Sequence, residues 1–121
     1  MDKKIVLAID DDLTQLKLYQ EMLGSQYDFR AVKSASEALA FLNSNVANII
    51  LLDITMPNIN GFEFLGDIRR IPSYMGVPIL IVSGNNDSEF HRKVKNSTAA
   101  GVLIKPVLPE TLIQAIEKAL E

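Results

Sequence analysis

Four short polar signatures in this chain each follow an apolar run. Asp10-Asp11-Asp12 follows Ile5–Ile9, Asp53 follows Ile49–Leu52, Ser83-Gly84 follows Pro78–Val82, and Lys105-Pro106 follows Val102–Ile104. If the runs are parallel strands of one sheet, their carboxyl ends share a rim, and ligands of such sheets bind there. That rim would carry carboxylates, a hydroxyl and an amine. Two carboxylates about 5 Å apart repel by roughly 3 kcal/mol at an effective dielectric of about 20. Asp10, Asp11 and Asp53, all ionised, therefore need positive charge. Lys105 supplies one unit. A divalent ion supplies the rest, and oxygen ligands with no His or Cys beside them suit Mg²⁺. Such an ion usually shares its shell between a few carboxylates and a substrate phosphate, which points to phosphoryl chemistry.

Each residue type then has a role. A carboxylate in such a site can act as nucleophile and become an aspartyl-phosphate. Asp53 is the best candidate, a single acid ending the most continuously apolar run. Asp10 and Asp11 would hold the metal, Ser83 would donate to a phosphoryl oxygen, and Lys105 would pair with another. Gly84 leaves room for an incoming donor. Asp12 reads instead as a helix N-cap, because Gln15 completes a capping box. His91 lies in the polar stretch Glu89–Lys93 and reads as part of a solvated helix face, and Asn85 and Asn86 read as turn and cap residues.

These residues need elements to position them. Four of the apolar runs do not alternate, which is how strands covered on both faces read. A fifth, Phe29–Val32, is interrupted by charge and reads as an edge strand. Between the runs the period is helical. Leu16, Tyr19 and Leu23 share a face, as do Ala35, Ala38, Leu39 and Leu42, then Phe64, Leu65, Ile68 and Ile71, and finally Leu112, Ile113, Ile116 and Leu120. Asp12 with Gln15, Ser34 with Glu37, Asn60 with Glu63 and Asn86 with Glu89 have capping-box spacing, and Pro109 suits a first helical turn. A fourth helix over Asn86–Ala99 is the least amphipathic, with only Phe90 and Val94 on one face. Strand and helix alternate five times, so the expected fold is an α/β domain with a parallel sheet and helices on both faces.

Composition sets the outer limits. With 121 residues, residues 1–121 are expected to form a single domain with no room for a separate output unit within them, large enough to bury about two-thirds of its surface. With no cysteine and 48% apolar residues, the core needs no disulfide. A net charge of −3 supplies no basic face for nucleic acid. No apolar run spans a bilayer, and Met1-Asp2-Lys3-Lys4 leads into too short a run for a signal peptide. A cytoplasmic location is the expectation.

From Ile5 to Leu120 the sequence resembles the receiver domain of bacterial two-component response regulators. The resemblance is carried by Ile9-Asp10-Asp11, by Leu51-Leu52-Asp53-Ile54-Thr55-Met56-Pro57 running on to Gly61 as D-x-x-M-P-x-x-x-G, by Ser83-Gly84 and by Lys105-Pro106. It implies a flavodoxin-like, doubly wound sheet of five parallel strands in order 2-1-3-4-5 with five helices. It implies phosphorelay signalling, with Asp53 phosphorylated by a sensor histidine kinase or a histidine phosphotransfer protein. Asp11, Asp53 and the backbone carbonyl of Thr55 would bind Mg²⁺ directly, and Asp10 mainly through water. It further implies a cis Lys105-Pro106 peptide and a Ser83 that swings toward the phosphoryl group. The face formed by the fourth helix, fifth strand and last helix would then repack for a downstream effector, a missing output domain or a second copy. One position departs from the family pattern. Three residues before the lysine the family commonly has Tyr or Phe, and Val102 carries no ring to swing. Thr55 and Asn85 occupy positions that tune dephosphorylation in the family, and neither is a base, so strong self-dephosphorylation is not expected.

Three rival readings are weaker. A Mg²⁺-dependent phosphatase or phosphotransferase using the same aspartyl-phosphate needs a second acid beside the nucleophile, where this chain has Thr55. A nucleotide or flavin binder needs a phosphate-cradling loop after the first strand, where Asp10-Asp11-Asp12 would repel phosphate. A phosphorylation-dead receiver should lack one of the acids. The chain reads as a phosphoacceptor switch and not as a turnover enzyme, with no nucleic-acid or membrane partner.

Overall fold

Aliphatic runs without polar alternation are stable where helices cover both faces of a sheet, and three of the five strands sit in that position. The computed structural model describes residues 2–57 and 59–121. Met1 and Asn58, the latter between Asp53 and Gly61, lie outside the described residues. The strands are β1 (Ile5–Ile9), β2 (Asp28–Val32), β3 (Ile49–Asp53), β4 (Ile79–Ser83) and β5 (Gly101–Ile104). All four pairings are parallel, in the order β2-β1-β3-β4-β5. This is the fold the sequence predicts. The charged β2 is an edge strand as expected. β5 is the other edge, although its apolar run reads like a covered strand; only its Leu103 is buried.

Two strand boundaries matter for chemistry. Asp53 and Ser83 are the last residues of β3 and β4, in register with Val82 and Ile104. The next amides continue the ladder, Ile54 to the Val82 carbonyl at 3.0 Å and Lys105 to the Ser83 carbonyl at 2.8 Å. Their backbones are held by the sheet itself.

The helices are α1 (Leu13–Leu23), α2 (Ala35–Ser44), α3 (Gly61–Arg69), α4 (Ser88–Lys95) and α5 (Pro109–Ala119), with a short 3₁₀ turn at Pro72–Tyr74. Alternation along the strands divides the core in two. Val6, Ala8, Ile49, Leu51, Leu80 and Val82 pack with Leu16, Tyr19 and Leu23 of α1 and Leu112 and Ile116 of α5. Leu7, Ile9, Ile50, Leu52, Ile79 and Ile81 pack with Ala38, Leu42, Phe64, Leu65, Ile68 and Phe90 on the α2–α3–α4 side. Ile71 is half-buried but lies beyond α3, where its carbonyl accepts the Tyr74 N–H at 2.8 Å. Gly61 has a steric reason: a Cβ there would lie 2.9 Å from the Ile54 Cα, so the start of α3 can close on the β3–α3 loop only without one.

Three caps form where expected. Asp12 accepts from the amides of Thr14 and Gln15, Ser34 from Glu37, and Asn60 from Phe62 and Glu63. The fourth is displaced. α4 is capped by Asp87, which accepts the Phe90 N–H at 2.8 Å, and Asn86 is not the cap. Asn85 has already turned the chain by accepting the Asp87 N–H at 3.0 Å, which places the first helical turn one residue later. The helix also stops short of Ala99. Ser97 donates its hydroxyl to the Val94 carbonyl at 2.7 Å and accepts the Ala99 N–H at 3.2 Å, diverting the backbone from helical pairing.

Candidate functional site

The carboxyl ends of β1, β3 and β4 each present a buried polar residue at one rim: Asp10 is 1% exposed, Asp53 4% and Ser83 0%. Asp11 and Asp12 are exposed. One carboxylate oxygen from each of Asp10, Asp11 and Asp53 lies within 4.8 Å of the other two. Asp12 stays at its capping post, and its amide donates to Asp10 Oδ1 at 2.9 Å, folding the loop around the buried acid. Lys105, one residue past β5, reaches across the rim. Its Nζ stands 3.5 Å from Asp10 Oδ2 and 3.4 Å from Asp53 Oδ2, and the Lys105-Pro106 peptide is cis.

The two buried acids are in unlike surroundings. Burial pushes the Asp10 carboxyl up to about 6, and the neighbouring Asp53 charge adds to the rise, against the Asp12 amide and Lys105, which oppose it. Burial acts the same way on Asp53 but is outweighed. Asp53 Oδ1 accepts from the Thr55 amide at 2.9 Å and from the Thr55 hydroxyl at 2.7 Å, and with Lys105 these hold Asp53 below the usual carboxylate range. Asp53 is thus the committed anion of the pair, with Oδ1 held by Thr55 and Oδ2 facing Lys105. The sequence reading gives Thr55 a backbone carbonyl for the metal and a position that tunes dephosphorylation, and the hydroxyl contact with Asp53 is an addition. Its signal is a hydroxyl two residues after an acid in a turn.

Ser83 turns its hydroxyl toward its own loop, where Oγ accepts the Asn85 N–H at 2.9 Å. Beside it a cleft of about 250 Å³ opens between the β3–α3 loop and α4, lined by Thr55, Phe62, Ser83, Asn85, Phe90 and Lys93. Gly84 is exposed at its edge, and a Cβ there would meet nothing within 4 Å. His91 stands apart from the acids. Its Nε2 contacts Asn86 Oδ1 and its ring lies edge-on to Phe90 with centroids 5.5 Å apart. Val102 is half-buried on β5. Tyr19 escaped sequence reasoning as anything but core. Its buried hydroxyl has no partner among the described residues, and burial plus the charges of Asp10 and Asp53 push its pKa up, so it stays neutral.

The donor set fits a hard divalent cation. Three carboxylates converge, and no His or Cys is among them. Asp10 carries a carboxyl whose pKa is raised first by burial and then by the neighbouring Asp53 charge, with Lys105 as the one cation in contact with either buried acid among the described residues. No helix among the described residues is long and apolar enough to cross a membrane.

Comparison with known proteins converges on one family. A family model described as the response regulator receiver domain matches residues 6–117. The two-component response regulator ARR12 of Arabidopsis thaliana is 33% identical over 110 residues, covering 88% of this chain and 18% of that protein. The two-component response regulator ORR12 of Oryza sativa is 32% identical, covering 88% of this chain and 90% of that one. The chain thus spans about a fifth of the first curated relatives, at 18% and 19% of their length. Among solved structures, the chemotaxis protein CheY4 of Vibrio cholerae superposes with a TM-score of 0.91 at 30% identity, covering 98% of this chain and 99% of that one.

Proposed function

The chain belongs to the response regulator receiver family, whose role is phosphorelay signalling, and on that premise we propose that Asp53 is its phosphoacceptor. The observation that carries the reading is the state of Asp53. It is a buried acid kept ionised by Thr55, with its second oxygen facing Lys105 and with Asp10 and Asp11 alongside. An ionised, oriented carboxylate is the nucleophile that phosphoryl transfer needs. An Asp53 oxygen bonds to phosphorus as the P–N bond of a phosphohistidine breaks. The electron pair leaves with the imidazole nitrogen, and the product is an aspartyl-phosphate.

Mg²⁺ would be held by Asp10, Asp11, Asp53 and the Thr55 carbonyl, and when bound it neutralises charge on the transferring phosphoryl group. Lys105 would exchange its contact with Asp53 Oδ2 for a phosphoryl oxygen. The Ser83 hydroxyl would leave the Asn85 amide to donate to another. Losing that contact releases the β4–α4 loop, and the α4-β5-α5 face would repack for an effector, an attached output domain or a second copy. The donor would be a sensor histidine kinase or a histidine phosphotransfer protein in the cytoplasm. Each chain takes up one phosphoryl group and does not turn over a substrate. With Val102 at its position on β5, the release is carried by Ser83 alone.

The test is incubation with Mg²⁺ and acetyl phosphate, followed by intact mass. Wild type should gain one phosphoryl group that hydroxylamine removes, and Asp53→Asn should gain none. An unchanged wild-type mass, or an equal gain in the variant, overturns the assignment.

A further inference from the structure

A second depression, of about 710 Å³, runs between α3 and α4 and is used by none of the chemistry above. Phe62, Leu65 and Gly66 line its α3 side, and a Cβ added at Gly66 would meet nothing within 4 Å, so the groove is open there. Its walls carry Arg69, Arg92 and Lys93 against one acid, Glu63, in a chain whose net charge is −3. The three cations differ in freedom. Arg69 is fixed by donating to the carbonyls of Tyr74, Val77 and Thr98 and to the Thr98 hydroxyl. Arg92 and Lys93 are exposed, and each stands 4.0 Å from the same Glu89 carboxylate oxygen. A pair that long and that exposed holds its charges weakly, which leaves both cations open to another anion.

We propose that the α3–α4 groove docks a short acidic segment of a partner protein, one apolar side chain seated over Phe62 and Leu65 and its carboxylates against Arg92 and Lys93. Charge complementarity sets the sign of the occupant, and the apolar side of the groove sets its class. A nucleic-acid strand would share the sign but needs a free aromatic face for stacking. The Phe62 ring is packed on Phe90, with centroids 6.2 Å apart.

The groove does not end at α3 and α4. Phe62 and Lys93 also line the cleft that reaches Thr55 and Ser83. A peptide in the groove and a Ser83 hydroxyl drawn away by phosphorylation of Asp53 therefore meet at one shared wall, Phe62 and Lys93, so that occupancy of either site changes the free energy of the other. This coupling rests on the phosphoacceptor reading of Asp53. The docking does not.

The test is titration of ¹⁵N-labelled protein with a synthetic peptide of glutamates around one central leucine, at low salt. Amide shifts should concentrate at Phe62, Gly66, Arg92 and Lys93. The double variant Arg92→Glu/Lys93→Glu, its folding checked by urea unfolding, should bind at least about tenfold more weakly, while Lys118→Glu on α5 changes affinity less than about twofold. Replacing the leucine by serine should weaken binding severalfold. Shifts spread over α5 and β5 overturn the proposal, as does equal weakening by both charge reversals. A DNA oligonucleotide of equal charge binding as tightly through the same amides also overturns it. Adding acetyl phosphate and Mg²⁺ should change the affinity of wild type but not of Asp53→Asn. A phosphorylated wild type with unchanged affinity removes the coupling and leaves the docking standing.

Discussion

The strand-end rim and helix α4 are neighbours across one cleft, and they are built on opposite terms. The rim is electrostatically strained and mechanically secure. Its acids crowd together, yet Asp53 and Ser83 belong to paired strands above a core with Ile9, Leu52 and Ile81 all 0% exposed. α4 is electrostatically relaxed and mechanically poor. It has eight residues, only Phe90 is buried, and its last turn carries Arg92, Lys93 and Lys95 where a helix dipole favours cations. By contrast α5 has eleven residues and is anchored by Leu112 and Ile116, each 0% exposed. The chemistry sits at the end of the best-buried strands and faces the α-helix with the fewest buried residues among those described. Local opening draws on elements with few buried contacts, so a charge change at the rim finds its readiest response in α4.

The largest effect tests that contrast directly. Ile81→Ala, beneath the rim, should cost about 2–5 kcal/mol in urea unfolding, and Val94→Ala, half-buried on α4, about 1 kcal/mol or less. Equal costs would mean that α4 is as well anchored as the sheet.

Next comes the tie between α4's far end and the rest of the domain. Arg69 reaches from α3 to Thr98 and to the carbonyls of Tyr74 and Val77. Arg69→Met should cost about 1.5–3 kcal/mol, since it leaves carbonyls without a charged donor. Amide exchange should quicken around Thr98–Gly101 while the amides of Asp53 and Ser83 stay protected. Uniform acceleration would place Arg69 in the global fold and not in the α4 tether.

Much of the rim was legible in the sequence, and much of α4 was not, for the same physical reason. A buried parallel strand leaves an unbroken aliphatic run, so Ile5–Ile9 and Ile49–Leu52 mark their ends, and with them Asp10 and Asp53, within one residue. The order of the acids was not legible. Asp10 and Asp11 are adjacent and chemically alike, and only the turn of the chain just past β1 makes one buried and the other exposed. Nor was the Thr55 hydroxyl legible as the group that keeps Asp53 ionised. Around α4 the signals compete. Asn85, Asn86, Asp87 and Ser88 are four consecutive residues that can each cap a helix, and spacing to Glu89 favours Asn86 over the actual Asp87. Arg69 has no signal in the sequence, since its partners are backbone carbonyls of Tyr74, Val77 and Thr98 and the Thr98 hydroxyl, which only the folded chain brings to one guanidinium.

The electrostatic half of the contrast is tested at Asp10. Its folded pKa of about 6 lies above the ordinary carboxylate value, so its contribution to stability is present at low pH and is lost as pH rises through about 6. Asp53 has the opposite sign: its pKa is lowered, and its contribution is lost as pH falls below the ordinary carboxylate range. Metal-free protein should therefore melt higher near pH 5 than at pH 7. Asp10→Asn should remove that slope and stabilise the metal-free protein at pH 7 by on the order of 1–2 kcal/mol. Mg²⁺ should raise the melting temperature of wild type at pH 7.5, EDTA should reverse the gain, and Asp10→Asn should show less of it. A variant that melts lower at pH 7 than wild type would mean that Lys105 already neutralises the rim.

The smallest effect lies at the first turn of α4. An N-cap acid contributes about 1 kcal/mol, and Asp12 and Asp87 make the same kind of bond, Asp12 to Thr14 at 3.0 Å and Asp87 to Phe90 at 2.8 Å. The two helices should nonetheless answer differently. α1 is held by Leu16, Tyr19 and Leu23, so Asp12→Ala should lower global stability with little local opening. α4 has Phe90 alone, so Asp87→Ala should cost less than about 1 kcal/mol globally and appear as faster exchange at the α4 amides. Asn86→Ala removes the contact with His91 but no cap, and α4 exchange should stay near the wild-type rate. If Asn86→Ala frays α4 more than Asp87→Ala does, the helix begins one residue earlier and is better fastened than its short buried face allows. The secure-rim, loose-helix contrast would then fail at the position where local sequence and tertiary structure disagree most.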